Sequence, residues 1–472
     1  INVQLATLGS CTGANQIIQL TQVSSQVVPM LCWSSAGQSA CANPGGFLPG
    51  YEEVIYKGTV DLSAYASPSC GWTISYSSCC RNGIVSNVIN ASSQGIYIYV
   101  SQPPNVGVFC NSSPAVRSTP VFLVCDSSFQ NISNVMSDPD GDSLSYTLAT
   151  PLSNANTTVP YSAGISATQP LVTTTAGYQF NTSNGQSSFT PTGLQGTIVD
   201  VITREYRNGV LISESRRTMQ VLVVSCANQN AVTLDQVERF DNGSWTSQGN
   251  HTSFDACLGD SVHFRVDFSD LDASDSISLA ATYSTLQATY PNASITSTYG
   301  TSSNQLTLEI IIPVTQYGGF SIGMMDNACP VPHLTTFGFN IEPAAGCTRL
   351  VGTAFLDVNN NCLQDSGEVV YNNYFLRLTK GGVMFTIPTN GMGDYATYVD
   401  TGTYQVDLFS ISPYYALCTA AGSVTIGPGG GTVVHDLPIQ ITTYCPYMTV
   451  NIGSPVLVHC DDNYYSVQYC NL

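Results

Sequence analysis

The chain has 472 residues, 12 Lys plus Arg against 31 Asp plus Glu, and a formal net charge of −19. With Lys57 and Lys380 as its two lysines, it cannot neutralise a phosphate backbone, which excludes nucleic acid as a partner. An anionic membrane surface is excluded on the same ground, and without a run of about 18 apolar residues no membrane insertion is expected.

Length alone suggests roughly three domains at about 150 residues each. The cysteines are Cys11, Cys32, Cys41, Cys70, Cys79, Cys80, Cys110, Cys125, Cys226, Cys257, Cys329, Cys347, Cys362, Cys418, Cys445, Cys460 and Cys470. Scattered in this way, mostly without zinc-type pairs, they imply disulfides formed in an oxidising compartment, their pairing left open. The odd count of 17 implies a free thiol or a bond to another chain. The start at Ile1, with no charged or apolar leader, is what removal of a secretory signal would produce, so the expected location is secreted, extracellular or cell-surface.

Along the chain, period-two alternation recurs in "GIYIYVSQ" (95–102), "RTMQVLVVSC" (217–226), "LTLEIIIPV" (306–314) and "TYQVDLFSI" (403–411). No stretch shows a period of 3.6. Short β-branched and aromatic runs, broken by turn residues and 40 glycines, predict an all-β chain of tandem Ig-like β-sandwich modules. Two segments repeat one another: Cys125 precedes Asp138, and Cys257 precedes Asp270, by the same interval. Each then gives an Asp-rich turn and another alternating strand. With Cys226 and Cys347 closing these units, the modules are 1–117, 118–226, 227–346 and 347–442, followed by a strand-like tail at 443–472.

The turns offer oxygen ligands. Asp138, Asp140 and Asp142, and likewise Asp270, Asp272 and Asp275, are a weaker calcium expectation, because Asp-Pro-Asp-Gly is good turn chemistry by itself. The stretch "GFSIG" (319–323) matches Gly-x-Ser-x-Gly, with Asp326 and His333 following Ser321 in hydrolase order. Its surroundings continue a strand pattern instead of the strand-to-helix turn that a nucleophile elbow needs, so no catalytic residue is assigned.

The strongest site signal is "LDVNNNCLQDSGE" (356–368). Asp357, Asn359, Asn361, Asp365 and Glu368 occupy positions 1, 3, 5, 9 and 12 of a calcium loop, with the Leu363 carbonyl at position 7. Cys362 stands where such loops usually carry Gly, and a disulfide there would hold a strained turn.

Two resemblances follow from these motifs. With its Gly352–Asp357 entry, Gly393–Tyr395 and Gly402–Val406 strands, the fourth module is similar to the B-type repeats of serine-aspartate-repeat adhesins and related transthyretin-like modules. That resemblance implies a structural calcium. "CGWTISYSSCCRNGIVSN" (70–87), "NSSPAV" (111–116), "SDPDGDSLSYTL" (137–148), "REYRNGVLISESRRTMQVLVVSC" (204–226) and "MDNACPVP" (325–332) occur in an order that resembles the secreted PKD-like, gliding-motility-associated repeat proteins of Bacteroidota. These are exported by type IX secretion, and the resemblance implies that a C-terminal sorting domain is removed during export.

The tail reads as the opening strands of an unfinished sandwich, whose bare edges need covering. Met448, Val450 and Ile452 alternate, as do Tyr465, Val467 and Tyr469, so a tail strand suits donation to another copy of the chain. The resulting expectation is a structural subunit of an extracellular filament or cell-surface fibre, polymerised through its tail. The alternatives are an adhesin that binds glycans through exposed members of its 26 tyrosines and, remotely, a serine hydrolase.

Overall fold

The computed structural model describes residues 1–9, 15–28, 31–32, 39, 43, 46, 50–60, 70–104, 111–116, 119–226, 230–300, 302–329, 331–371, 374–409, 415–442, 448–453 and 466–471. Alternation along the chain becomes two-faced strands. In Ser261–Ser269 every second residue turns inward, and Val262, Phe264, Val266 and Phe268 are buried. Opposite them on the antiparallel strand Gln305–Pro313 stand Ile312, Ile310, Leu308 and Leu306. Directly opposed side chains share a face, so these residues form one inner wall of the third module.

That wall belongs to a five-stranded sheet ordered Ser244–Gly249, Thr233–Asp241, Ser261–Ser269, Gln305–Pro313, Ser294–Tyr299. A second sheet of Ser253–Ala256, Leu334–Pro343, Gly318–Met325 and Ser278–Leu279 closes over it, giving an all-β sandwich. The fourth module repeats the plan. Thr348–Leu356 lies at its centre between Asp394–Val399 on one side and Gly431–Val434 and Leu437–Ile441 on the other. The facing sheet is ordered Val383–Pro388, Phe375–Lys380, Gly402–Phe409, Ser423–Ile426. The cystine Cys125–Cys226 spans the second module, Cys257–Cys347 the third, and Cys362–Cys418 lies within the fourth. Cys32–Cys329 and Cys79–Cys80 are also joined.

The expected separation at residues 117/118 needs correction. Strands Asn2–Gly9, Asn15–Gln19, Cys70–Cys79 and Gly95–Gln102 lie in the same eight-stranded sheet as Val210–Val224, Gln195–Arg207 and Ser143–Ala149 of the second module. The join is the antiparallel pairing of Ser101, Val100 and Tyr99 with Glu214, Ser215 and Arg216. Length explains it. Val210–Val224 runs for 15 residues, against a typical strand of about 5–6, so its free edge has room for the N-terminal strand and, further along, for Leu123–Cys125.

The remaining junctions are also packed. Between the second and third modules, Ser133 N donates to Thr336 Oγ1 (2.6 Å) and Gly338 N donates to Gln186 Oε1 (2.7 Å). Ala280, Tyr283 and Leu334 of the third module join the second module's apolar core. Between the third and fourth, one hydrophobic cluster is continuous from Leu258 to Val399 and Tyr404. There the Tyr317 hydroxyl donates to Tyr398 O (2.7 Å) while accepting from Leu258 N (3.1 Å). Among the described residues no helix is long and apolar enough to cross a membrane.

The Phe264 ring is fully buried, with ring centroids 4.3 Å from Phe254 and 5.9 Å from Phe339. Phe264→Ala is expected to destabilise the third module by about 3–5 kcal/mol, read as a lower urea midpoint at unchanged slope. A loss below about 1 kcal/mol would contradict tight packing of this wall.

Candidate functional site

The strand Thr348–Leu356 delivers Asp357 into the fourth module with no exposed surface. Its Oδ1 accepts from Asn361 N (3.0 Å), and its Oδ2 accepts from Cys362 N (2.8 Å) and Gln440 Nε2 (2.8 Å). Burial alone would raise its pKa, but the Gln440 amide and these backbone donors outweigh burial and hold the carboxyl below the usual range. Asn359 Nδ2 and Asn361 Nδ2 both donate to Asp365 Oδ2, at 2.7 and 2.6 Å. Glu368 closes the loop, accepting from Val358 N (2.9 Å) and Asp365 N (2.9 Å). The five side chains singled out by spacing are thus gathered in one loop. Asn359 Oδ1 accepts from Asn361 N (3.0 Å) and Asn361 Oδ1 from Leu363 N (2.7 Å), and these amide oxygens with the three carboxylates make a donor set of oxygen, the kind a hard cation takes.

Cys362 sits at φ +64°, in the left-handed region that favours glycine, and is held there by its bond to Cys418. The Leu363 side chain is exposed.

At the second-module turn, Asp138, Asp140 and Asp142 place carboxylate oxygens within 4.8 Å of one another. Two residues unmarked by sequence reasoning complete this cluster. Arg207 grips Asp142 through Nε (2.9 Å) and Nη2 (2.6 Å), reaches Asp140 Oδ2 (3.2 Å), and donates from Nη1 to Thr389 O of the fourth module (3.1 Å). Glu205, two residues earlier on the same strand face, is 1 % exposed. Neither of its carboxylate oxygens has a hydrogen-bond partner of normal geometry, although Asn111 and Asp142 stand beside it. Burial, then the charge of Asp138, raises its pKa; burial, then Asp142, raises that of Asp138. The available sequence signal was a Glu and an Arg at i and i+2 of a strand, in a chain with 9% charged residues.

The third-module turn repeats one detail. Asp138 Oδ1 accepts from Asp140 N (2.9 Å) and Asp142 N (3.0 Å), and Asp270 Oδ1 accepts from Asp272 N (2.8 Å). In both turns the other oxygen, Oδ2, is buried and unpartnered. Asp270, Asp272 and Asp275 are likewise within ligand reach of one another, and Asn230 Nδ2 donates to Asp272 (3.0 Å).

Ser321 and His333 are not brought together. The Ser321 hydroxyl meets Thr285 Oγ1 (3.3 Å), whereas His333 Nε2 accepts from Gln130 Nε2 (2.7 Å) and lies 3.1 Å from Ser128 Oγ. Asp326 Oδ1 accepts from the His333 backbone N (2.7 Å). The motif's glycines serve packing. A Cβ at Gly319 would overlap Val135 of the second module, and one at Gly323 would crowd Tyr283 and Ala280.

In the tail, the backbone of Met448–Gly453 pairs antiparallel with Ser466–Asn471, Val450 opposite Tyr469 and Ile452 opposite Val467; Tyr465 lies outside the described residues, as do Cys11, Cys41, Cys110, Cys445 and Cys460. Among the described tyrosines, Tyr299 and Tyr398 are exposed, while Tyr146, Tyr178, Tyr283, Tyr290, Tyr374, Tyr395 and Tyr404 are buried.

No family model matches the chain, and no curated protein matches it. Among solved structures, a chimeric titin Z1Z2 carrying a decorin peptide is 9% identical, covering 50% of this chain and 100% of its own, at a TM-score of 0.14. The three-Ig titin fragment I67–I69 (E-to-A variant) is 7% identical over 68% of this chain and 98% of its own, at 0.16. Zebrafish RET cadherin-like domains 1 to 4 are 11% identical over 67% and 70%, at 0.15. At these TM-scores no argument rests on the likeness, and the sandwich architecture stands on the sheet topology described above.

Burial drives the His333 pKa down from 6.5 to about 4, and burial drives that of Asp326 up from 3.8 to about 6. Between pH 6.5 and 4 the unfolded chain takes up the His333 proton first, so this residue's contribution is lost as pH falls. Asp326 acts oppositely, since its neutral form is favoured in the fold. Replacing His333 isolates the first effect. The stability advantage of the parent over His333→Gln should shrink by about 2 kcal/mol between pH 7.5 and 4.5, measured by urea unfolding; a constant difference would show that the imidazole is not held neutral.

Proposed function

We propose that the chain is a structural subunit of an extracellular filament or cell-surface fibre, its modules acting as one mechanically coupled body and its tail joining copies. The observation that carries this reading is continuity across the described modules. A shared sheet joins the N-terminal strands to the second module, and apolar cores are shared between the second and third and between the third and fourth. Modules joined this way transmit load through their shared sheet and shared cores. The five described disulfides suit an oxidising, extracellular setting. The resemblance to type IX-exported Bacteroidota repeat proteins agrees with this location.

In this reading calcium occupies the 357–368 loop and stiffens it. Asp357, Asn359, Asn361, Asp365, Glu368 and the Leu363 carbonyl supply oxygen, and hard cations of this size take six to eight such ligands. The tail pairs as a hairpin, and a two-stranded ribbon alone is marginal in water. An acceptor edge on a second copy would stabilise it. A glycan-binding adhesin is the second reading, and Tyr398, in a cleft with Tyr317 and Asn340, is the place to look for it.

Electron microscopy of the non-reduced protein should show regular filaments, and deletion of residues 446–472 should leave folded monomers. Filaments that persist without the tail would eliminate it as the joint, and isolated particles from the intact chain would favour the adhesin. Separately, calcium should raise the unfolding temperature of the fourth module, and Asp357→Asn should abolish that rise.

A further inference from the structure

The second-module turn contains more buried negative charge than its one arginine can balance. Asp138, Asp140, Asp142 and Glu205 are between 1 and 9 % exposed, and among the described residues Arg207 pairs with two of them, Asp140 and Asp142. Arg207 is itself committed. Its fork takes both oxygens of Asp142 and touches Asp140, while Asp140 Oδ2 also accepts from Ser112 N (2.6 Å). That leaves Asp138 Oδ2 and both oxygens of Glu205 buried without a hydrogen bond of normal geometry, Glu205 having the Asn111 amide and the Asp142 carboxylate beside it. Burying an ionised carboxylate without a partner costs several kcal/mol, a cost relieved either by protonation or by a further positive charge, and Asp138 and Glu205 are near enough to feel each other's charge.

We propose that Asp138, Asp140 and Glu205 bind a divalent cation, which fixes the Arg207 bridge between the second and fourth modules. The donor set is oxygen alone, with carboxylates dominant, which selects calcium over zinc or copper. The charges close sensibly, because four carboxylates against Arg207 and one divalent ion leave a single residual negative charge. Access is present, since the turn lines a cleft together with Tyr206, Tyr317 and Tyr398, as an ion site requires. Arg207 and the ion share Asp140, whose Oδ2 accepts from Arg207 and Ser112. Arg207 holds Asp142 through both its oxygens, while the ion takes the Asp138 and Glu205 oxygens that no hydrogen bond of normal geometry occupies. Ordering this turn orders Arg207, and thereby its hydrogen bond to Thr389 O.

The test uses the full chain carrying Asp357→Asn and Asp270→Asn, so that neither the 357–368 loop nor the third-module turn contributes. Calcium chloride titrated calorimetrically into this background should give one binding event, and adding Glu205→Gln should remove it. Glu205→Gln keeps shape and loses charge, so folding is expected and can be checked by near-ultraviolet circular dichroism. A second readout separates ligation from packing. In chelator the Glu205→Gln protein should unfold at a higher temperature than its parent, having lost an uncompensated buried carboxylate. In calcium the order should reverse. A flat titration of the background, an event unchanged by Glu205→Gln, or the same order of unfolding temperatures in both conditions would overturn the proposal. Failure of the 357–368 loop to bind calcium would leave this result untouched.

Discussion

The backbone pairing of Gln195–Arg207 with Val210–Val224 is the constraint on which the described fold depends. It runs in register from Gln195 opposite Val223 to Arg207 opposite Val210, with a single shift near Glu205. Asn208 and Gly209 close it with φ of +51° and +78°, the pair of positive angles that a type I′ hairpin requires. One edge of this hairpin carries Ser143–Ala149, and the other carries the N-terminal sheet and Leu123–Cys125. At its tip, Arg207 reaches the fourth module. Without this ladder the N-terminal strands would have no sheet to extend, and the acidic turn would lose its counter-charge.

Local order was readable wherever a face and a period coincide. The run 306–314 alternates because one face of its strand is the core of the third module, and the repeated cysteine-to-aspartate interval marks two turns whose leading Asp residues use Oδ1 in the same way. The 357–368 loop was legible because its spacing is local. What could not be read is non-local. The edge strand to which Gly95–Gln102 pairs is more than a hundred residues away, and nothing in its own alternation specifies that neighbour. The role of Glu205 and Arg207 was hidden for the same reason, since their partners lie across a turn and across a module boundary. The motif around Ser321 shows the converse. A local pattern matched a catalytic signature, yet its glycines answer to Val135 and Tyr283.

Charge in this chain is scarce and much of it is internal. Of 12 basic residues, Arg81 and Arg207 are buried, and the Arg216 side chain, 8 % exposed, pairs with a fully buried Asp200 at 2.9 Å. Breaking such a pair by removing one partner costs about 3–5 kcal/mol, whereas an exposed pair contributes about 1 kcal/mol or less. The second module therefore relies on specific ionic contacts inside its sandwich, while the third relies on an apolar wall.

The disulfide Cys32–Cys329 closes a ring of sequence separation 297, and Cys257–Cys347 closes a second ring that overlaps it. A protease that cut any one peptide bond between Cys32 and Cys347 would open a ring but release no fragment. Cys362–Cys418 gives the same insurance further on. Among the described disulfides, the stretch between Cys347 and Cys362 is left outside every ring, and a single cut there would sever the chain. That stretch comprises the strand Thr348–Leu356, clasped by strands on both edges, the buried Asp357, and the exposed loop residues Val358, Asn359, Asn360 and Asn361. Where covalent redundancy lapses, the strand is protected by its neighbours, and the exposed bonds from Val358 to Asn361 depend on the order of the loop itself, whose backbone is held by the Asp357 and Asn359 side chains.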